Sequence, residues 1–119
     1  MSETKTLVDS IIEGIQEKKG RDIIVADLTK ITTAPCANFV ICTAGSPQQV
    51  SAVTESVEEF AKKQRGEKPS AIAGRNNNLW VAMDYGNVIV HIFVPDSREY
   101  YDLEHLWEDA ELSRIEDID

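Results

Sequence analysis

The residues best suited to nucleophilic or metal chemistry are two cysteines, two histidines and one serine that follows a glycine. The cysteines and histidines are Cys36, Cys42, His91 and His105. No two of them have the close spacing of zinc ligands, as in C-x-x-C or H-x-x-x-H. Ser46 follows Gly45 outside any G-x-S-x-G motif and is a good N-cap for a helix that starts at Pro47. We therefore predict no catalytic residue, no metal and no cofactor.

Residues 43–46 join a predicted strand to a helix N-terminus, an arrangement that favours phosphate binding. They lack the lysine of a P-loop and the glycine spacing of a dinucleotide motif. A Gly-Ser at such a junction also occurs in nucleotidyltransferases, which hold metal ions with paired carboxylates on a following strand. The next predicted strand, residues 70–73, contains no acid, so the metal-binding half of that chemistry is missing. Catalysis by a nucleotidyltransferase-like, nucleotide-binding enzyme remains an alternative interpretation of the chain's function.

The charge of the chain argues against nucleic acid as its main direct contact. The 119 residues include 21 acids and 12 bases, for a net charge of −9 at pH 7, which repels a phosphate backbone. Residues 108–119 alone contain six acids and one base. We predict a single domain over residues 1–107 and an acidic C-terminal tail over 108–119, solvated or disordered and dispensable after about Leu112.

Apolar runs in the sequence are short. None reaches the length of a transmembrane helix, and the N-terminus lacks the apolar stretch of a secretory signal. We therefore expect no membrane contact, a cytoplasmic location and reduced cysteines.

Helical spacing of apolar residues predicts a first helix with a stripe from Leu7 to Ile15. Thr4 or Thr6 would cap its start. The run Lys18-Lys19-Gly20 predicts its end, with the glycine in the left-handed conformation.

Two further helices are predicted from their caps. The second begins after Ser46 and ends at Gly66. The last would be capped by Asp96, with Glu99 completing a capping box. It would place four residues on one face: Tyr100, Leu103, Leu106 and Trp107.

Runs of β-branched and aromatic residues predict five strands. They span residues 22–28, 38–44, 70–73, 79–84 and 88–94. The connection between the first two is too short for a crossover helix, which favours an antiparallel pair or strands that are not neighbours. The second strand, the second helix and the third strand could form a βαβ unit. The order predicts an α/β (α+β) fold, a mixed five-stranded sheet with packed helices.

The dipeptide Gly86-Asn87 predicts a β-hairpin and fixes its register. One face would be apolar and point to the core. The other would pair Trp80 with Phe93, Ala82 with His91, and Asp84 with Ile89. Pattern alone favours a helix over this face and a hydrogen-bonded core histidine, since most aromatic stripes are core. An open face would instead dock a partner, with Trp80 as anchor.

Four segments resemble a known family in order and spacing. They are residues 22–27 (DIIVAD), 38–46 (NFVICTAGS), 80–93 (WVAMDYGNVIVHIF) and 98–107 (REYYDLEHLW). The most specific stretch is D-Y-G-x-V-x-V-H-x-F followed by R-E-x-Y-x-L-E-x-L-W. The chain resembles the ribosomal silencing factor family, also called Iojap-like.

That resemblance implies a protein that is not an enzyme, although its fold is similar to the nucleotidyltransferase core. It implies binding to the large ribosomal subunit through that subunit's ribosomal protein fourteen. Such binding would block joining to the small subunit and lower translation when nutrients are scarce. A homodimer of the free chain is left open. The partner-binding residues carried over from the family are Trp80, Asp84, Tyr85, His91, Phe93 and Tyr101.

The sequence departs from the family pattern at two positions. Many relatives have aspartate where Asn38 and Asn87 stand. Without that charge, neither position is assigned a role. The acidic extension after Trp107 is also longer than in compact relatives, and no role is carried over to it.

Overall fold

One mixed sheet of six strands organises the chain, and the computed structural model describes residues 6–106 and 109–117. The strand order is β3-β4-β5-β2-β1-β6. The strands are β1 (Arg21–Asp27), β2 (Asn38–Thr43), β3 (Ala71–Ala73), β4 (Trp80–Asp84), β5 (Val88–Phe93) and β6 (Glu111–Ile115). The helices are α1 (Leu7–Glu17), α2 (Pro47–Arg65), α3 (Pro95–Tyr101) and α4 (Leu103–Leu106). The predicted mixed α/β class is confirmed, with one strand more than expected.

Strand pairing agrees with the sequence where a local signal exists. The β4–β5 hairpin has the predicted register, with Trp80 opposite Phe93 and Ala82 opposite His91. Strands β1 and β2 are antiparallel neighbours, which is one of the two arrangements that their short connection favoured. Strands β2 and β5 pair in parallel. Strand β3 runs in the direction of β2, but β5 and β4 lie between them, so the expected βαβ unit spans two other strands.

The acidic C-terminal segment is a strand over most of its described length. β6 pairs antiparallel with β1, with Ser113 opposite Val25 and Ile115 opposite Ile23. The expectation of disorder after Leu112 is therefore wrong through residue 115. An edge strand is stabilised by backbone hydrogen bonds and needs no apolar face, so its acidic composition did not prevent pairing. Ile118 and Asp119 at the end of the predicted tail, and Glu108 at its start, lie outside the described residues.

The start of α1 agrees with the prediction, but its end does not. Thr6 caps the start, and its hydroxyl accepts the Asp9 N–H at 3.0 Å. At the other end Lys19, not Gly20, takes the left-handed conformation, with φ of 64°. A Cβ on Gly20 would lie 2.4 Å from Cγ2 of Ile15. The predicted left-handed glycine is therefore wrong, because this glycine is needed for close packing instead.

Helix α2 begins and ends as predicted. The Ser46 hydroxyl accepts the Gln49 N–H at 3.1 Å, and Pro47 is the first helical residue. Gly66 ends the helix with φ of 65°. This helix therefore has the N-terminal proline and C-terminal glycine that the sequence indicated.

The last predicted helix is two short helices. Val94 occupies the N-cap of α3 without a side-chain hydrogen bond, and Asp96 lies in the first turn, so the predicted cap and its capping box with Glu99 are wrong. Asp102 is left-handed, with φ of 49°, and separates α3 from α4. The predicted common face is broken there, and its fourth member, Trp107, lies outside the described residues.

The two sides of the sheet are covered differently. Helices α1 and α2 pack over the first side through a fully buried core that includes Ile11, Ile15, Val53, Val57, Val90 and Ile92. On the second side, loop 28–37 and the α3–α4 segment enclose a smaller core. That core contains Ala26, Leu28, Phe39, Ile41, Phe93 and Leu103. Among the described residues, no long helix lies over the second side of β3 and β4.

Candidate functional site

An aromatic cluster lies where the covered part of the second side meets the open part. The Trp80 ring stacks on Phe93 with centroids 5.0 Å apart, and it contacts Tyr101 of α3 at 4.5 Å. Phe93 is fully buried, Trp80 is half-buried and Tyr101 is 48% exposed. The predicted pairing of Trp80 with Phe93 on one face is confirmed, and the partial exposure of Trp80 agrees with the open-face alternative. We call Trp80, Tyr101 and the half-exposed Asp84 on the same side the aromatic face.

His91 lies beneath this face rather than on it. The residue is 7% exposed, and its ring packs edge-on against Phe39 with centroids 4.7 Å apart. The Trp80 indole Nε1–H donates to Nδ1 of His91 at 3.1 Å. Burial lowers the pKa of His91 to about 4, so the ring is neutral at physiological pH. Among the described residues, Nε2 of His91 has no hydrogen-bond partner.

Asp84 shapes the end of the hairpin. Its Oδ1 accepts the Gly86 N–H at 2.8 Å, and its carbonyl oxygen accepts the Ser70 N–H at 2.8 Å. It is on the Trp80 side of β4, four residues along the strand from Trp80, and is half-exposed. The carboxylate therefore supports the turn and also places a negative charge at the margin of the aromatic face.

Tyr85 does not join the aromatic face. It packs against the first core, on the opposite side of the sheet. Its hydroxyl is buried without a hydrogen-bond partner among the described residues. Burial, and to a lesser extent the carboxylates of Glu58 and Glu67, raises the pKa of Tyr85. The structure therefore brings together Trp80, Phe93, His91 and Tyr101, with Asp84 at the margin, but not Tyr85.

Arg98 holds α3, and with it Tyr101, against the sheet. Its guanidinium donates to the Asp22 carbonyl at 2.6 Å and to the Thr43 hydroxyl at 2.8 Å. It also forms a 2.8 Å ion pair with Glu104 while only 12% exposed. No role for Arg98 was predictable from the sequence, because its three partners are 6 to 76 residues away along the chain. Its only signal was the first position of the R-E-x-Y stretch.

Small side chains leave the sheet open beside Trp80. Ala71 and Ala73 of β3 are exposed, and Ala82 of β4 is half-exposed. By the strand pairing, all three are on the same side as Trp80. A partner could therefore approach the sheet surface closely at these small residues, and the Trp80 side chain would lie at the edge of that contact.

The strand-to-helix junction at Gly45 and Ser46 uses its polar groups internally. The Ser46 hydroxyl caps α2, and the Gly45 N–H donates to the Gln49 side chain at 2.6 Å. Within residues 6–106 and 109–117, no three His, Cys, Asp or Glu side chains gather as a metal ion would require. In the same part of the chain, no helix has both the length and the apolar content needed to cross a bilayer.

Comparisons with known proteins agree on one family. The family model described as "Ribosomal silencing factor during starvation" matches residues 1–119. The ribosomal silencing factor of Bacillus subtilis is 31% identical over 112 residues, which cover 94% of this chain and 93% of that protein. A crystal structure of a Chromobacterium violaceum protein superposes with a TM-score of 0.82 at 34% identity, covering 90% of this chain and 88% of the other. The mouse protein named "Mitochondrial assembly of ribosomal large subunit protein 1" is 26% identical over 102 residues, covering 84% of this chain and 44% of that protein.

Proposed function

The chain belongs to the ribosomal silencing factor family, and on that basis we propose that it binds the large ribosomal subunit and blocks joining to the small subunit. The contact on the large subunit would be ribosomal protein fourteen. The outcome would be lower translation when nutrients are scarce. The name of the mouse relative supports a link to the large subunit. The observation that supports the docking site is the aromatic face, where Trp80 is half-exposed and no long helix within the described part of the chain lies over it.

Each residue of the aromatic cluster has a role in this proposal. Trp80 and Tyr101 make the apolar contact, because large rigid aromatic side chains dominate interface energetics. Phe93 lies under Trp80 and, through its stacked ring, holds the indole at the surface of the sheet. Asp84 is the rim charge. Tyr85 lies on the other side of the sheet and makes no direct contact in this arrangement.

The charge of the chain selects a basic protein rather than RNA as the contact. A net charge of −9 repels ribosomal RNA and attracts a basic ribosomal protein. Blocking by bulk requires a rigid face and an anchor, and it requires no bond to be broken. The hydroxyl of Ser46 is engaged in capping α2, which favours this binding role over a nucleotidyltransferase-like reaction.

Co-sedimentation with purified subunits tests the proposed binding. We expect the chain to pellet with large subunits at near-stoichiometric ratio and to stay in the supernatant with small subunits. Equal recovery with both subunits, or with neither, would overturn the proposal.

The Asp84→Asn variant tests the charge of the partner. Asparagine keeps the oxygen that accepts the Gly86 N–H, so the hairpin turn is preserved while one negative charge is lost. We expect the association rate with large subunits to fall roughly twofold or more at low salt, with little change in dissociation. Stopped-flow binding at two salt concentrations measures both rates. Glu59→Gln makes the same charge change at an exposed residue of α2, on the opposite side of the sheet, and should leave association unchanged. Equal slowing by the two variants would contradict a specific role for Asp84.

A further inference from the structure

The Trp80 ring is held by contacts of two kinds. Stacking on Phe93 and a tilted ring contact with Tyr101 restrict the plane of the indole but leave open which edge of the ring faces outward. The hydrogen bond from Nε1–H to His91 Nδ1 fixes that edge, because it ties one atom of the indole to one atom of the sheet. The orientation of Trp80 therefore depends on a single directional contact.

The strand register explains why His91 can reach Trp80. His91 stands directly opposite Ala82, and Trp80 stands opposite Phe93, so Trp80 and His91 are diagonal neighbours across the hairpin. The small Ala82 side chain leaves space into which the two larger rings lean, and their centroids are 5.9 Å apart.

The hydrogen bond also fixes the protonation state of His91. An indole N–H can only donate, so Nδ1 must be the unprotonated nitrogen, and the ring proton lies on Nε2. Nε2 is buried without a hydrogen-bond partner among the described residues. The only hydrogen bond of the buried ring among the described residues is therefore the one that Nδ1 accepts from Trp80. This geometry indicates that His91 supports Trp80.

From this geometry we propose that His91 is a positioning residue of the aromatic face, which holds the Trp80 indole in the orientation that docks. This inference rests on the proposed function and deepens it. The positioning role takes the place of the direct partner contact that the family resemblance implied for His91. That contact is blocked because His91 is buried under Trp80 and Phe39. A pre-oriented anchor loses less conformational freedom on binding, so the hydrogen bond raises affinity without touching the partner.

The first test is made on the free protein. In a uniformly nitrogen-15-labelled sample, we expect a scalar coupling across the hydrogen bond between Nε1 of Trp80 and Nδ1 of His91. The chain has two tryptophans, and a Trp107→Phe variant assigns the indole signals. Absence of the coupling, or a protonated Nδ1, would overturn the proposal whether or not the chain binds ribosomes.

The second test compares two replacements of His91. Asparagine places a carbonyl oxygen close to the position of Nδ1 and so restores the acceptor, whereas leucine has similar bulk and no acceptor. We expect His91→Leu to weaken binding to large subunits roughly fivefold, with faster exchange of the Trp80 indole proton, and His91→Asn to remain within about twofold of the unmodified chain. Equal affinity for all three proteins, or equal loss in both variants, would overturn the positioning role. If the unmodified chain itself fails to bind large subunits, the proposed function falls, while the coupling and the exchange rates still decide whether His91 orients Trp80.

Discussion

Replacement of Trp80 by alanine is expected to weaken binding to the large subunit by about 2 kcal/mol or more, roughly 30-fold in Kd. The ring is half-buried in the free chain, stacked on Phe93 and in tilted contact with Tyr101, and its remaining surface would be covered on docking. The variant therefore loses the anchor and also part of the support for Tyr101. Titration of labelled chain with large subunits measures the affinity.

Two variants separate this effect from a general loss of structure. Leu79→Ala removes an apolar side chain that is 43% exposed and directly precedes Trp80, and it should bind normally. Trp80→Phe keeps a stacked ring without the indole N–H and should lose less affinity than alanine. All three variants should unfold cooperatively, with a modest fall in Tm for Trp80→Ala. Normal affinity of Trp80→Ala would place the docking site elsewhere on the molecule.

Gly74→Ala is expected to lower the free energy of unfolding by about 3 kcal/mol. Gly74 follows β3 with φ of 91°, and a Cβ there would lie 1.9 Å from the carbonyl oxygen of Trp80. Backbone atoms cannot avoid this overlap by a change of rotamer, so β3 and the start of β4 must separate. Affinity for the large subunit should fall with stability, because the displaced segment includes Trp80.

Gly86→Ala provides the matched control for Gly74→Ala. Gly86 has nearly the same conformation, with φ of 89°, but nothing lies within 4 Å of an added Cβ. The control should lose only about 1 kcal/mol, the cost of a non-glycine residue in the left-handed region. Urea unfolding of both variants gives the difference. Equal losses would show that the close approach to Trp80 has no energetic consequence.

The hairpin was predictable because its information is local. Gly86-Asn87 fixes the loop, and the two-residue period of a strand then determines which side chains share a face. The Trp80 and Phe93 pair follows directly from this counting.

Features that depend on distant residues were not predictable in the same way. The counting places His91 on the Trp80 side of β5, but its burial depends on how Phe39 and Trp80 pack around its ring. Strand β6 depends on pairing with β1, across more than 80 residues of chain, and its acidic composition concealed it. The break between α3 and α4 falls at Asp102, where no glycine or proline marks it in the sequence. Aspartate tolerates the left-handed conformation, so the helix can end there without either residue.

Subunit joining, followed by light scattering, tests the central claim most directly. Purified large subunits are incubated with the chain and then mixed with small subunits under conditions that favour the joined ribosome. We predict that the scattering increase falls as the chain saturates the large subunits, and that Trp80→Ala at the same concentration leaves it nearly intact. A full scattering increase at a concentration where every large subunit carries the chain would contradict a blocking role.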